Sequence, residues 1–199
     1  MSSGVKKYSA QFGRMAAVGV LGIAAVSCGN NAGLDPEYDR FKAMPDMCSL
    51  LSEQIVTDTL GGQPEVKPSG GGQVGSCAWS YTNNELTPDG SYHRIISLNG
   101  SLFRGDGSTS GADKAFHELE RIQRDSPTKL EQSPGIGERA IKGQTRKTVD
   151  YIIVIGNLNL QLSYENVDLR AENQTAPPPQ TNQQAQALAS EIAKKVSGS

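Results

Sequence analysis

The residues best suited to chemistry in this chain are three cysteines, Cys28, Cys48 and Cys77, and two histidines, His93 and His117. A cysteine thiolate can be acylated, form a disulfide or bind a metal ion, and an imidazole can bind metal or transfer a proton. No two cysteines have C-x-x-C spacing, and only two histidines are present, so the pattern argues against a zinc site. We therefore expect no metal and no cofactor.

The sequence before Cys28 is typical of an export signal. Residues 1–14 contain three basic residues and no acidic one, and residues 15–27 carry no charge. Thirteen apolar residues in a helix span about 20 Å, which is short of the roughly 30 Å hydrocarbon core of a bilayer. The segment therefore favours a cleaved signal peptide over a transmembrane helix.

The residues around Cys28 resemble the lipobox of bacterial lipoproteins, here Ala25-Val26-Ser27-Cys28-Gly29, with Ala25 where leucine is commonest. This resemblance implies diacylglycerol on the Cys28 sulfur, cleavage before Cys28 and acylation of the new amino group by a fatty acid such as palmitate. The alternatives are that Cys28 is a small buried residue or joins a disulfide. Two or three acyl chains anchor a protein stably, so we expect attachment at the extracytoplasmic face of the cell membrane.

Processing before Cys28 would divide the chain into a signal peptide (1–27), a lipidated N-terminus with a flexible tether (28–44) and one extracytoplasmic domain (45–199). The whole chain has 19 Lys+Arg, 21 Asp+Glu and a net charge of −2, and residues 28–199 have 16 Lys+Arg and 21 Asp+Glu, a net −5. This balance gives no basic footprint for nucleic acid, and it suggests that the lipid rather than a polybasic patch holds the protein at the bilayer.

With Cys28 assigned to a lipid, Cys48 and Cys77 remain as a pair. Export would place them in an oxidising compartment, where a disulfide can form and persist. We therefore predict a structural disulfide between Cys48 and Cys77, with free thiols or a metal-binding pair as the alternatives.

Hydrophobic periodicity predicts the elements that must position these residues. Helices are predicted at 46–60, with Asp46 as N-cap, at 112–125 and at 185–196, and strands at 77–81, 92–103, near 136–141, and at 149–155 and 158–164 as a hairpin. Residues 62–76 are predicted as a loop and residues 173–186, with three prolines, as an extended connector. The order of helix, strands, helix, strands, helix without βαβ units predicts an α+β fold with helices packed on a mainly antiparallel sheet. The repeated order also suggests an internal duplication, although the halves share no motif.

Five short motifs together resemble a family of actinobacterial exported lipoproteins of unknown function: the lipobox, Cys48-Ser-Leu-Leu51, Gly61-Gly62, Cys77-x-Trp79 and Pro134-Gly-Ile-Gly-Glu-Arg-Ala140. The resemblance covers residues 45–196. It implies a lipid-anchored α+β domain with a Cys48–Cys77 disulfide, and it supplies no catalytic residues. More loosely, the layout is similar to the extracellular sensor domains of actinobacterial receptor kinases, which are disulfide-bonded and thought to bind ligands in a cleft.

Two glycine-rich segments partly fit nucleotide-binding motifs. Residues 135–140 match G-x-G-x-x-A, but a loop precedes them and a β-prone segment follows, whereas the dinucleotide fingerprint needs a strand before it and a helix after it. Residues 105–111 precede a helix but lack the Lys-Ser/Thr ending of a P-loop. We therefore predict turns at both places, with a weak anion site as the alternative at residues 105–111.

The remaining candidates also favour structural roles. We predict His117 on a solvated helix surface, His93 as a structural strand residue, and Trp79 in the core near the disulfide, with a cleft-lining role as the alternative for Trp79. No G-x-S-x-G motif is present, so a hydrolase nucleophile elbow has no support.

These observations favour a non-catalytic ligand-binding or sensor module at the cell envelope, with an apolar cleft between helices and sheet. The alternative is a structural or protein-interaction lipoprotein that scaffolds an envelope complex through a contiguous apolar patch. An envelope hydrolase is less favoured and would need two carboxylates converging in one cleft. The expected partners are the membrane, through lipid on Cys28, and an unknown small ligand or envelope protein, but not nucleic acid.

Overall fold

The computed structural model describes residues 34–85, 90–169 and 177–198. Within them, seven strands form one antiparallel sheet in the order β1-β2-β3-β7-β6-β5-β4. The strands are β1 (Glu65–Gly71), β2 (Val74–Asn83), β3 (Tyr92–Leu102), β4 (Glu131–Gln132), β5 (Arg139–Gln144), β6 (Thr148–Ile155) and β7 (Leu158–Asp168), and the helices are α1 (Glu53–Leu60), α2 (Gly111–Asp125) and α3 (Pro179–Ser197). Short 3-10 helices occupy Pro36–Tyr38 and Met47–Leu50. The predicted α+β fold is confirmed.

The larger core lies between one face of the sheet and the helices α1 and α3. Because strand side chains alternate between faces, Leu160 and Leu162 of β7 point to this side together with Trp79 of β2. Leu188 and Ile192 of α3, both fully buried, pack against them. This face is covered along the central strands, and the space between helices and sheet is filled by side chains.

The smaller core lies on the opposite face, beneath α2. Ala115 and Leu119 of α2 pack there against Ile141 of β5 and Val154 of β6. No described helix covers β1, β2 and β3 on this side, where side chains such as Ser97 remain accessible. The two halves of the chain therefore place their helices on opposite faces, and the internal duplication stays a prediction.

A disulfide joins Cys48 in the second 3-10 helix to Cys77 in β2, with 5.1 Å between the Cα atoms. The predicted pairing is confirmed. Trp79, two residues along the same strand and on the same face, is 4% exposed and belongs to the larger core. The structure thus supports the core role predicted for Trp79 and not the alternative of lining a cleft.

The predicted helix 46–60 is divided in two. Asp46 caps the 3-10 helix by accepting from Cys48 N at 3.0 Å, but Leu51 is extended and Ser52 caps a second start, at α1. The break occurs because a second N-cap residue, Ser52, lies inside the periodic pattern. The Ser52 hydroxyl accepts from the N–H of Ile55, and α1 begins at the next residue, Glu53. Gly61, with φ +85°, ends α1 as predicted.

Two predicted irregular segments contain regular structure instead. Residues 65–71, predicted as loop, form β1, which pairs with β2 in unbroken register. Pro68 is compatible with this position because β1 is an edge strand and bonds on one side only. Pro179, assigned to an extended connector, is the first residue of α3, where a proline loses no helical hydrogen bond. The two-residue β4 was also not predicted.

The first described residues, 34–45, form a segment that we call the strap. Part of the predicted flexible tether (28–44) therefore packs on the domain: Asp39 is only 7% exposed and Phe41 packs against the larger core. The signal peptide, Cys28 and residues 29–33 lie outside the described residues, so those predictions stay predictions. Among the described helices, none combines the length and apolarity needed to cross a bilayer.

Candidate functional site

The strap is held by polar groups that reach it from three elements. The Asp39 carboxylate accepts from Gly105 N at 3.0 Å and from Gly111 N at 3.1 Å, at the start of α2. The side chain of Asn157, in the β6–β7 turn, accepts from Phe41 N at 2.8 Å and donates to Phe41 O at 3.0 Å. These bonds fix the strap across one end of the sheet.

The end of α3 supplies the third contact. The Arg40 guanidinium donates to Ser197 O at 3.0 Å, and its Nη1 lies 3.3 Å from the carboxylate of Glu138. The final carbonyls of a helix carry partial negative charge and lack helical donors, so an arginine satisfies them well. The strap and the last turn of α3 therefore form two walls that are fixed relative to one another.

Between these walls lies a groove of about 380 Å³, which we call the strap groove. Its described lining residues are Arg40, Phe41, Lys42, Ala43, Pro45, Ser49, Leu50, Lys195 and Val196. The volume falls within the ordinary range for small-ligand sites. The groove lies outside the sheet, and not between helices and sheet as the sequence suggested.

The strap groove combines an apolar wall with positive charge. Five of its nine described lining residues are apolar, three are cationic, and none is acidic. Arg40 lies with its guanidinium 5.2 Å from the centre of the Phe41 ring, in the range of a cation–π contact. Lys42 donates to the carbonyl oxygens of Pro36 and Glu37. Lys195 is exposed and has no ion pair within the described part of the chain.

This arrangement can bind but offers no acid–base pair. The one hydroxyl among the described lining residues, on Ser49, donates to Asp46 O at 2.8 Å, and none of these lining residues is a histidine, an aspartate or a glutamate. A nucleophilic hydroxyl needs an adjacent base. The described lining residues therefore suit the non-covalent binding of an anionic group that carries an apolar part.

The glycine-rich segment 105–111 binds an anionic group of the protein itself, the carboxylate of Asp39. Its Gly105 and Gly111 N–H groups bond to Asp39, and a Cβ on Gly111 would overlap the same carboxylate. A second carboxylate, Asp106, caps the loop, and its pKa is held well below the ordinary value, chiefly by the Lys114 ammonium and then by Ser108. The weak anion site considered from the sequence is thus filled internally.

The segment 135–140 forms a turn that leads into a strand. Gly135 and Gly137 have φ of +83° and +62°, and Arg139 begins β5. A Cβ on Gly137 would lie 2.7 Å from Ile153 Cγ2, which explains the small residue. Ala140 is 2% exposed and enters the larger core. The segment is therefore a turn that enters a strand, as predicted, whereas the dinucleotide fingerprint opens a helix.

The two histidines lie apart and make local contacts. The Nδ1 atom of His93 in β3 is 2.7 Å from the Thr82 hydroxyl across the strand pair, on the face that α1 and α3 do not cover. His117 projects from α2 with its Nδ1 3.4 Å from the Glu120 carboxylate, and its side chain is 70% exposed. His93 thus contacts one hydroxyl, that of Thr82, and neither histidine meets a second imidazole among its described contacts.

Comparison with known proteins gives no relative: no family model, no curated protein and no solved structure matches this chain. Among the residues that the structure describes, no three His, Cys, Asp or Glu side chains are grouped so as to hold a metal ion. Three further cavities, like the strap groove, each have at most one carboxylate residue among their described lining residues.

The strap groove was not predicted from the sequence. Residues 28–44 were predicted as a flexible tether because they are polar. One signal was available: Phe41 stands between Arg40 and Lys42 in an otherwise polar stretch. A large apolar residue in a spacer indicates that this part of the spacer packs on something.

Proposed function

We propose that this protein is a membrane-anchored extracytoplasmic lipoprotein that acts as a non-catalytic binding module, and that the strap groove is its ligand site. The observation that carries the proposal is the groove itself, in which Arg40, Lys42 and Lys195 surround an apolar wall without a carboxylate among the described lining residues. A concave, partly apolar site with a few placed polar groups is the common form of a ligand site.

The anchoring part of the proposal is supported by the sequence before the domain. A basic n-region, an uncharged stretch and Ser27-Cys28-Gly29 are arranged as in a lipoprotein signal. The Cys48–Cys77 disulfide adds support from the structure, because disulfides persist in oxidising compartments outside the cytoplasm.

Cell fractionation tests the anchoring. Wild type is expected in the membrane fraction, whereas Cys28→Ser should lose lipid-dependent retention and keep residues 1–27, since the acylated thiol is missing. Ser27→Ala is the matched control, because it keeps a small residue before Cys28 and should fractionate as wild type. Equal processing and membrane retention of Cys28→Ser and wild type would count against a lipid anchor at this residue.

A second candidate function, an interaction lipoprotein in an envelope complex, is favoured by the uncovered face of β2 and β3. Hydroxyl and amide side chains dominate there, among them Ser80, Ser97 and Asn99, and lysine, arginine and carboxylates are absent from these two strands on that side. Depletion of charge is typical of interface centres.

Cross-linking of wild type and Ser97→Arg in cells separates the candidates, since only an interaction surface would lose a partner through that change.

A further inference from the structure

The position of the strap groove relative to Cys28 limits what can reach it. Leu34, the first described residue, is fastened to the domain because its carbonyl accepts from Gly107 N at 3.0 Å. Six peptide units separate Cys28 from Leu34, a span of at most about 20 Å. Lys42, on the groove rim, bonds to the carbonyl of Pro36, two residues beyond Leu34. An acylated Cys28 would therefore hold the groove close to the bilayer surface.

The charges around the groove favour an anion from that surface. Lys195 has no ion pair in the described structure, whereas the Arg40 guanidinium pairs with Glu138 at 3.3 Å and donates to Ser197 O, so Lys195 is the cation of the groove most open to an anion. Lysine and arginine side chains near a membrane are attracted to anionic headgroups. The net charge of residues 28–199 is negative, so this attraction would arise from local placement rather than from total charge.

The volume and the apolar wall of the groove indicate a ligand that is larger than a phosphate and partly apolar. A volume of about 380 Å³ holds roughly a dozen non-hydrogen groups if each needs the 30 Å³ of a water molecule. That is enough for a phosphate, a glycerol backbone and the first carbons of an acyl chain. Phe41, Leu50 and Val196 provide the apolar contact for those carbons.

We propose that the strap groove binds one anionic phospholipid of the same membrane, with its phosphate beside Lys195, Arg40 and Lys42 and its glycerol region against Phe41 and Leu50. This inference rests on the proposed function, since it takes the anchor at Cys28 as the reason that the groove meets lipid. Binding would orient the domain with the strap and the end of α3 toward the bilayer, as a second contact beside the covalent lipid.

Native mass spectrometry of the chain purified from membranes in an uncharged detergent tests the proposal. The protein is titrated with phosphatidylglycerol, with phosphatidylcholine of the same acyl chains, and with glycerol phosphate, which lacks acyl chains. We expect one phosphatidylglycerol per chain, bound about tenfold more tightly than phosphatidylcholine, and no comparable binding of glycerol phosphate.

Two variants locate the binding. Lys195→Glu reverses an exposed charge on the groove rim and should weaken phosphatidylglycerol binding about 25-fold, since it changes the charge by two units and each unit near an anionic headgroup is worth about fivefold. Lys147→Glu is the matched control: it is also exposed, but lies in the β5–β6 turn at the opposite end of β6 from Asn157, and should bind as wild type. Lys195→Gln should fall between wild type and Lys195→Glu.

The same spectra separate this inference from the anchor. Equal affinity for both phospholipids, equal loss in Lys195→Glu and Lys147→Glu, or glycerol phosphate bound as tightly as phosphatidylglycerol would overturn the lipid assignment. The mass of the acyl groups on Cys28 is read independently of any bound lipid, so a chain without them counts against the proposed anchor and not against the groove.

Discussion

At the scale of single residues, the strap depends on buried polar side chains rather than on apolar burial alone. Asp39 and Asn157 are 7% and 1% exposed, and each bonds to backbone groups of a different element. Buried backbone donors without partners are costly, so these side chains stabilise both the strap and the loop before α2. The shape of the strap groove follows from them.

Asp39→Ala is expected to lower the free energy of unfolding by about 3 kcal/mol, because the N–H groups of Gly105 and Gly111 would lose a charged acceptor in a buried place. Asp35→Ala is the control: its carboxylate accepts from Glu37 N at an exposed position, and its loss should cost no more than about 1 kcal/mol. Urea unfolding measures both. Similar midpoints for the two variants would show that Asp39 does not hold the strap.

Tyr164 is expected to make stability fall at high pH. It is fully buried, and burial raises the pKa of its phenol from 10.0 to about 12. The folded chain thus keeps a proton that the unfolded chain loses, so stability is complete below pH 10 and is lost as the pH rises toward 12, by about 3 kcal/mol in total.

Tyr164→Phe should remove this part of the pH dependence. It should also lower stability at pH 7 by about 1–2 kcal/mol, because the hydroxyl lies 3.2 Å from Thr59 O and 3.0 Å from Gln184 Oε1. Tyr38→Phe, at a residue 62% exposed, is the control. Urea midpoints measured from pH 8 to 11.5 test the difference, and parallel slopes for Tyr164→Phe and wild type would contradict it.

Residues of this kind are hard to find from sequence alone. Asp39 follows Asp35 and Glu37 in a polar stretch, and nothing in the residue types shows which of the three is buried. Cys48 and Cys77 could be paired because the predicted export signal, the number of cysteines and the family resemblance all indicate the same bond. A disulfide needs a second cysteine, and this sequence contains only a few. A buried carboxylate can accept from many backbone N–H groups, and only the folded chain shows which of them lie beside it.

At the scale of elements, the disulfide has a distinct role. It joins a four-residue 3-10 helix, too short to be stable by itself, to β2 across a separation of 29 residues. Replacing both cysteines by serine should lower the free energy of unfolding by about 3–4 kcal/mol through the entropy of the unfolded chain. Urea unfolding of wild type with and without reductant, beside the double variant, checks this. An unchanged midpoint on reduction would contradict it.

Periodicity predicted α2, β3 and the β6–β7 hairpin closely, because each buries one regular stripe or face. It failed for β1, whose seven residues are all exposed and include Gly and Pro. Such a strand is specified by pairing with β2 and not by its own hydrophobic pattern. The same limit applies to the start of α3, where Pro179 was interpreted as a helix breaker although a first-turn proline is favourable.

At the scale of the whole molecule, the fold class could be predicted and the candidate site could not. The order of elements is local information, whereas the strap groove brings residues 40–50 together with residues 195 and 196. The net charge of a chain also does not show where its charged residues lie. Three cationic residues line one groove here, although the described residues carry a net negative charge. The site therefore follows from the way the strap crosses the end of the sheet.

The proposed attachment at Cys28 is the premise from which the proposed position of the strap groove at the membrane follows. Mass spectrometry of the N-terminal peptide, isolated from the membrane fraction, tests it most directly. The expected result is a peptide that begins at Cys28 and carries diacylglycerol on sulfur, with an acylated amino group where the cell completes that step. A membrane-bound chain that retains residues 1–27 and has an unmodified Cys28 would contradict it.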